Sequence, residues 1–391
     1  MDDSERSVDA PTGDWDATAA PGDDRGDGLD VAVVGGGAVG VTAAHDLAVR
    51  GAAVTLYERG TVAGESTGRA AGILYDAYAE DVDATVADRA LERFRALSGT
   101  GDFTFEESPY LWFVTEHGRK ADAIREQVEG MQANGRRVER VDADAISEEF
   151  PALRTDDAVE AAIARNAGVA DTAAYADAVA ELAAERGVDV RERTPAKVSL
   201  DPARVNDTEY DAVLVATGAQ TKQVLADARL QVPLKPYRVQ ALTATPAGAI
   251  PTFYDATAGY YARPHPEGVL AGDGTEEVEA DPESYDLEGD DWFVDETRDR
   301  LADRVPGYDP EVHRAWAGLC SATPDRDPLL GELAEDVFVA AGWQGHGFMR
   351  APATGEIAAR QVLGDDPVPG FDPQRFDGDE EFEVVEGMAV E

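Results

Sequence analysis

Short apolar runs alternate with stretches of helical periodicity along the first two hundred residues. The run "DVAVVG" (30–35) is followed by a helical stretch that ends at Gly51, and then by a second apolar run, "AAVTLYE" (52–58). Apolar positions at helical spacing also mark 81–97, a more polar helix near 119–133, and 172–187. Strand, helix and buried strand in this order predict the start of a parallel α/β sheet.

The pattern changes between 236 and 272, where short apolar segments are separated by turn residues. Short strands separated by turns are typical of an antiparallel sheet. Farther along, the apolar run "DVFVAA" (336–341) enters a glycine-rich loop, "GWQGHGF", and 351–364 has the pattern of a closing helix. We therefore predict an α/β fold with a second, α+β unit built on an antiparallel sheet.

The charge balance is strongly acidic, with 79 Asp and Glu against 34 Lys and Arg and a formal net charge of −45. Such a surface repels nucleic acid and anionic membranes, so we expect neither as a partner. Self-repulsion of this size is relieved by counter-ions, which indicates a halophilic cytoplasm as the setting. Acidic disordered tails at 1–28 and 365–391 are an alternative source of the charge, and the two explanations can coexist. We expect no signal peptide and no transmembrane segment.

The loop "VVGGGAVG" carries Gly35-x-Gly37-x-x-Gly40 between the first strand and the first helix. In dinucleotide binding the first glycine permits the tight turn and the second lets a pyrophosphate approach the backbone. The third lets helix and strand pack closely, while the helix N-terminus attracts the phosphates. Glu58 ends the next strand, where a carboxylate accepts hydrogen bonds from an adenosine ribose. These features together predict a dinucleotide site but leave NAD and FAD open.

The stretch after Glu58 decides between the two cofactors. "GESTGRAAGIL" (64–74) supplies small and hydroxyl residues that let backbone lie along a long cofactor. With "VAVVGGGAVG", "VLVATGA", "AGLCSATPDRDPLLG" and "AAGWQGHGFMRAPATGEIAA" in this order, the chain resembles the FAD-dependent oxidoreductases of the D-amino-acid oxidase superfamily. The similarity is to the glycine oxidase and sarcosine oxidase branch and runs from about 30 to 364. A dehydrogenase that uses NAD alone leaves two of these stretches without a role.

The resemblance implies a Rossmann-like FAD-binding domain interleaved with a substrate domain. We assign 29–80, 150–228 and 316–364 to the FAD-binding domain, and 81–149 and 229–315 to the substrate domain. It also implies oxidation of a small amine or amino acid, in which a hydride passes from Cα to flavin N5. A 2-hydroxy acid as substrate and a non-catalytic FAD-binding partner subunit remain alternatives.

The resemblance further implies which residues contact FAD: those of the glycine loop, the stretch after Glu58, the adenine-side segment, and the loop before the last helix. His346 could be a base, but its flanking glycines favour a loop residue that borders the cofactor. The expected FAD contacts are Gly35, Gly37, Ala38, Val39, Gly40, Glu58, Arg59, Ser66, Thr67, Arg69, Gly72, Lys197, Val198, Thr217, Gly218, Gly318, Gly342, Gln344, Gly345, His346, Gly347 and Phe348.

The chain departs from the family where an amino-acid carboxylate is bound. Glycine-oxidase-like members place an Arg where this chain has Cys320, and sarcosine-oxidase-like members place a Lys where it has Met349. A carboxylate is best held by the two-pronged guanidinium of an Arg. The remaining candidates for the substrate side are Arg69, Arg263 and Arg350, with Tyr261 as the aromatic residue near the substrate.

A second departure concerns the electron acceptor. Sarcosine-oxidase-like members carry a Lys in a "G-x-K-x-G" strand that assists oxygen, and this chain has Leu270 at that position. We therefore expect either slow reaction with O2 or a dehydrogenase that passes electrons to a quinone or a carrier protein.

Cys320 is the only cysteine, which excludes an internal disulfide and a cysteine-built metal site; we predict no metal. Hydride transfer requires no thiol nucleophile. Family members of the sarcosine-oxidase type bond flavin through a Cys in this region, but alignment on Thr323-Pro324-Asp325 puts that Cys near Gly318. We favour Cys320 as a small neutral residue that lines the substrate pocket, with covalent attachment as the alternative.

Overall fold

The computed structural model describes residues 23–200 and 202–385. Its helices are Ala38–Val49 (α1), Ser66–Arg69 (α2), Asp81–Leu97 (α3), Arg119–Ala133 (α4), Ala143–Glu149 (α5), Thr172–Glu185 (α6), Thr221–Asp227 (α7), Asp291–Arg304 (α8) and Gly347–Val362 (α9). The strands are Asp30–Val34 (β1), Ala53–Tyr57 (β2), Ile73–Tyr75 (β3), Phe105–Glu107 (β4), Tyr110–Val114 (β5), Val138–Val141 (β6), Glu160–Ala164 (β7), Ala167–Ala170 (β8), Asp189–Arg191 (β9), Val198–Ser199 (β10), Arg204–Val205 (β11), Thr208–Glu209 (β12), Ala212–Val215 (β13), Lys235–Ala244 (β14), Thr252–Asp255 (β15), Tyr260–His265 (β16), Gly268–Gly272 (β17), Val312–Ala322 (β18), Leu329–Ala334 (β19) and Val337–Ala341 (β20).

A six-stranded sheet holds the glycine loop at the end of its central strand. Its order is β19-β20-β13-β1-β2-β9, and all neighbours are parallel except β19 and β20. Both faces are covered: α1, α3, α6 and α9 pack on one, and the small β10-β11-β12 sheet with α7 packs on the other. A parallel strand that is buried on both faces has apolar residues at successive positions. This explains the runs "VAVV" in β1 and "AVLV" in β13. The predicted parallel α/β sheet is confirmed.

An eight-stranded sheet forms the second layer, in the order β18-β14-β17-β16-β15-β5-β7-β6. All neighbours are antiparallel except β15 and β5. The antiparallel sheet predicted from 236–272 is confirmed as β14 to β17, and the α/β fold class is confirmed with it. The longest pairing joins β14 and β18, which carry one wall of the site described below.

Sheet membership differs from the predicted domain ranges at two strands. β7 and most of β18 belong to the eight-stranded sheet, although their sequence ranges were assigned to the FAD-binding domain. The helix α3 packs against α9 beside the six-stranded sheet, although it falls in the predicted substrate range. For β7 the reason is that the run Ala161–Ala164 is apolar, and a short apolar run is compatible with a buried strand of either sheet.

The chain ends also differ in part from the predicted tails. Residues 1–22 lie outside the described residues. At the other end, Phe371 and Val384 are buried, so 365–385 packs against the protein rather than extending from it. Three Phe and three Val residues among the acids supply the apolar contacts for this packing.

In 23–200 and 202–385, no helix is long and apolar enough to cross a membrane.

Candidate active site

A cavity of about 480 Å³ lies between the two large sheets. The glycine loop, the end of β2 and the segment 63–73 form one side of it. The eight-stranded sheet forms the opposite wall, mainly through β14 and β18. Its residues there are Tyr237, Val239, Gln240 and Ala241 of β14, and Trp316, Gly318, Leu319, Cys320 and Ser321 of β18.

The glycine loop has the backbone shape that the sequence predicted. Gly35 has a φ of +111°, and a Cβ there would lie 2.4 Å from the carbonyl oxygen of Ala216. A Cβ on Gly40 would lie 2.0 Å from the oxygen of Gly35, so only glycine lets α1 approach the loop this closely. The first turn of α1 carries no acidic residue, and Gly37 offers no side-chain cap. The positive end of the helix therefore faces the cavity, as a pyrophosphate requires.

Glu58 closes the nucleotide end of the cavity. Its Oε2 accepts a hydrogen bond from the Gly36 amide (2.7 Å), and its Oε1 accepts one from the Gly60 amide (2.6 Å). Each carboxylate oxygen keeps a second acceptor site for a ribose hydroxyl. The glycine loop, the helix end and this fixed carboxylate together fit an FAD adenosine diphosphate half.

Most of the expected FAD contacts lie in the cavity wall, brought together from five separate segments. They are Gly35, Gly37, Ala38, Val39, Glu58, Arg59, Ser66, Thr67, Arg69, Gly72, Thr217, Gly218, Gly318, Gly345, His346, Gly347 and Phe348. Five expected contacts lie outside the wall: Gly40, Lys197, Val198, Gly342 and Gln344.

Three of the five positions outside the wall have a local cause. Gly40 packs behind the loop, and Val198 is fully buried in the core beneath β10, so the preceding Pro195 and Ala196 face the cavity instead. Gln344 turns its side chain the other way and donates from Nε2 to the Val385 carbonyl (2.6 Å).

The substrate-side candidates separate into two groups. Arg69 and Tyr261 line the cavity. The guanidinium of Arg69 donates to Glu65 Oε2 (2.8 Å) and to the Tyr285 hydroxyl (2.7 Å), so it is already engaged.

Arg263 and Arg350 are buried behind the wall. Arg350 forms an ion pair with Asp83 (2.7 Å) and lies over the Tyr78 ring at 4.7 Å. Arg263 donates to the carbonyl oxygens of Ala71 and Pro264, and burial lowers its pKa to about 10. Both guanidinium groups thus support the segments that face the cavity.

His346 is held as a neutral ring. Burial, with a contribution from the nearby Arg350 charge, lowers its pKa to about 3. Its ring packs edge-on against Tyr78 and Tyr75, and within the described chain its Nε2 has no hydrogen-bond partner. A group with so low a pKa is a weak base at neutral pH, which supports the interpretation as a bordering residue.

Cys320 lines the cavity beside the loop that precedes α9. A Cβ on Gly345 would lie 3.9 Å from its Sγ, and Cys320 belongs to a small cluster with Tyr237 and Val384. This location agrees with a pocket-lining role.

Several wall residues were missed from sequence. Tyr75 stacks on Tyr110 at 4.7 Å between ring centres, and Asp273 has a positive φ of 116°. They come from strands and loops far apart in the chain, so no local sequence pattern groups them. The missed residues include Gly36, Tyr75, Tyr237, Val239, Asp273, Trp316 and Trp343.

Comparison with known proteins gives one consistent family. The family model described as FAD dependent oxidoreductase (DAO) matches residues 30–361. Monomeric sarcosine oxidase from Bacillus sp. is 26% identical over 86% of this chain and 92% of its own length. Glycine oxidase from Geobacillus kaustophilus is 27% identical over 85% of this chain and 92% of its own. The crystal structure of L-proline dehydrogenase from P. horikoshii superposes with a TM-score of 0.80 and 26% identity, covering 89% of this chain and 98% of that one. The expected resemblance and the expected cofactor are confirmed: the chain belongs to the FAD-dependent oxidoreductase family.

Proposed function

We propose that the protein oxidises a small amine or amino acid, using FAD held in the cavity between the sheets. The observation that carries the proposal is the continuity of this cavity. It runs from the nucleotide-binding glycine loop and Glu58 to a wall that includes Tyr75, Tyr261 and Met349. The similarity to sarcosine oxidase, glycine oxidase and L-proline dehydrogenase supports a nitrogen-containing substrate.

FAD, when bound, supplies the two-electron acceptor for the hydride that leaves the substrate carbon. The chain's own part is to hold and orient. Glu58 and the N-terminus of α1 fix the adenosine diphosphate half. The N-terminus of α9 begins at Gly347, directly after His346, and its positive end stabilises negative charge that develops nearby.

Arg69 and Tyr261 are the substrate-side residues that this proposal places in contact with the substrate. An amino-acid carboxylate would have to displace Glu65 from Arg69, because that ion pair already occupies the guanidinium. Arg263 and Arg350 then act by positioning: Arg263 holds the Ala71 carbonyl, and Arg350 holds Tyr78.

For the electron acceptor, we propose a quinone or a carrier protein in preference to O2. Leu270 is buried in β17 at the position where an oxygen-assisting Lys would stand, so no cation is provided there. The acidic composition supports a halophilic cytoplasm as the setting.

Anaerobic reduction of the purified yellow protein tests this proposal. We expect loss of visible flavin absorbance with at least one member of a panel containing sarcosine, glycine, L-proline, D-amino acids and their decarboxylated amines. The proposal would be contradicted if only 2-hydroxy acids bleach the flavin, or if no amine, amino acid or 2-hydroxy acid does. Comparison of turnover with O2 and with a soluble quinone then identifies the acceptor class.

A further inference from the structure

Every arginine of the cavity wall is in an ion pair with a carboxylate, whereas the carboxylate of Asp273 in the same wall is in no ion pair with any described residue. The arginines there are Arg59 and Arg69, and both are paired with carboxylates. Arg59 contacts Glu283 (2.6 Å) and Glu65 (3.3 Å), and Arg69 contacts Glu65 (2.8 Å). For the described part of the chain, the wall therefore presents no arginine or lysine that is free of an acidic partner.

Asp273 is a carboxylate of the wall that forms no ion pair among the described residues. It lines the cavity directly after β17 and is only partly exposed. Within 23–200 and 202–385 its carboxylate has one hydrogen bond, from Thr275 Oγ1 (2.7 Å), and no ion pair. Its shielding from water raises the pKa of this carboxyl to about 6. Asp273 forms no ion pair among the described residues, and the more distant Arg300 charge offsets the effect of burial only in part, so a bound cation would stabilise the shielded carboxylate.

The backbone holds Asp273 in this place. Its φ of +116° is rare for a residue other than glycine, and its amide donates to the Gln240 carbonyl (3.2 Å) on β14. The neighbouring Gly272 faces Tyr261 in the sheet register, and a Cβ on Gly272 would lie 2.2 Å from the Tyr261 hydroxyl. Asp273 thus follows directly on the strand that packs against Tyr261, the aromatic residue proposed to contact the substrate.

We propose that Asp273 is the specificity-determining residue of this cavity and binds the cationic nitrogen of an amine that carries no carboxylate. This inference rests on the proposed function and narrows its substrate class. A zwitterionic amino acid brings a carboxylate as well, and the two arginines of the wall that could receive it are already paired with Glu65 and Glu283. A simple alkylammonium carries a positive charge that can pair with Asp273, and it carries no carboxylate.

Two compounds without a hydrogen on the amine carbon separate binding from oxidation. tert-Butylamine carries a methyl group where 2-aminoisobutyrate carries a carboxylate, and neither can lose a hydride. We expect calorimetry on the FAD-loaded protein to show tert-butylammonium binding about tenfold or more tightly than 2-aminoisobutyrate. Asp273→Asn should weaken the binding of tert-butylammonium about tenfold while preserving the backbone, because Asn also tolerates positive φ.

The control is Glu335→Gln, which removes an exposed carboxylate outside the cavity wall. It should change binding less than twofold or so. Tighter binding of 2-aminoisobutyrate, equal effects of the two variants, or no binding of either probe would overturn the inference. If amino acids nevertheless bleach the flavin, the proposed function survives that result; if neither amines nor amino acids bleach it, the proposed function itself fails.

Discussion

Glu58 organises the nucleotide end of the cavity through two backbone amides on different loops, those of Gly36 and Gly60. Glu58→Gln replaces one acceptor oxygen by an NH2 group that must face an amide donor. We expect FAD to bind about tenfold more weakly, since a charge-assisted hydrogen bond is lost. Equilibrium release of FAD, followed by fluorescence, measures the change. Glu185→Gln, on the exposed face of α6, is the control and should leave FAD affinity unchanged; equal affinities for both variants would contradict this role.

His346 makes stability depend on pH. Its ring stays neutral in the folded protein down to about pH 3, whereas the unfolded chain takes up a proton below its ordinary pKa of 6.5. The free energy of unfolding should therefore fall as the pH drops from 6.5 towards 3, by up to about 1.4 kcal/mol per pH unit from this group. Denaturant unfolding of the wild type and of His346→Asn at pH 7 and pH 5 tests this. The wild type should lose more stability than the variant, and parallel losses would show that the ring is not held neutral.

Single residues were predictable where a short segment sets their role. Gly35, Gly40 and Glu58 follow from spacing within one strand-helix-strand unit. Asp273, Tyr75 and the contact of Arg69 with Tyr285 were not predictable, because their partners are distant in sequence and meet only after the sheets assemble.

Among the helices, a buried ionic network fastens α1, α3 and α9 together. Asp46 of α1 accepts from both terminal nitrogens of Arg93 on α3 (2.7 and 2.8 Å), and Arg93 also donates to the Pro352 carbonyl in α9. Burial opposes the charge, but Arg93 and His45 hold the pKa of Asp46 well below its usual range. The stability from this carboxylate is thus present above its unfolded pKa and is lost as the pH falls.

Asp46→Asn should reduce the free energy of unfolding by about 2–4 kcal/mol, because the buried Arg93 loses its two-pronged partner and keeps only the longer ion pair with Glu356 (3.5 Å). Denaturant unfolding measures the loss. Asp102→Asn removes an exposed acid near the same helix and should cost less than about 0.5 kcal/mol. A loss for Asp46→Asn no larger than that of the control would show that the network does not hold the helices.

The segment 378–385 lies behind the cavity and supports the loop before α9. Val384 is buried beside Tyr237 and Cys320, and the Val385 carbonyl accepts from Gln344. Val384→Asp places a charge in this contact and should release FAD several-fold faster, because the loop 343–347 loses its support. Stopped-flow release of FAD measures the rate. Glu383→Ala, at the neighbouring exposed position, is the control; unchanged release from Val384→Asp would mean that the segment is not needed.

The bounds of helices and strands were more predictable from the sequence than the pairing of strands into sheets. The bounds of α3 and α4 agree with the sequence pattern, because amphipathic spacing and end signals act locally. The placement of β7 in the eight-stranded sheet depends on its pairing with β5 and β6, which are distant in sequence. The burial of Phe371 and Val384 was hidden by the acids around them.

For the molecule as a whole, the net charge of −45 should make stability depend on salt. Repulsion between carboxylates weakens as ions screen them, so the Tm should rise when KCl is raised from millimolar to molar concentration. A thermal scan at several KCl concentrations measures this. A Tm that stays constant or falls would contradict a halophilic setting.

The two sheets and the cavity between them make one oxidoreductase site, and α-deuteration tests its chemistry. The amine that reduces the purified protein fastest without oxygen is compared, in stopped-flow absorbance, with the same amine deuterated at the carbon bearing nitrogen. We predict complete loss of visible flavin absorbance by one equivalent of substrate, at a rate several-fold lower for the deuterated compound, because breaking that C–H bond is part of the reaction. Failure of every amine and amino acid to bleach the flavin would contradict amine oxidation at this site.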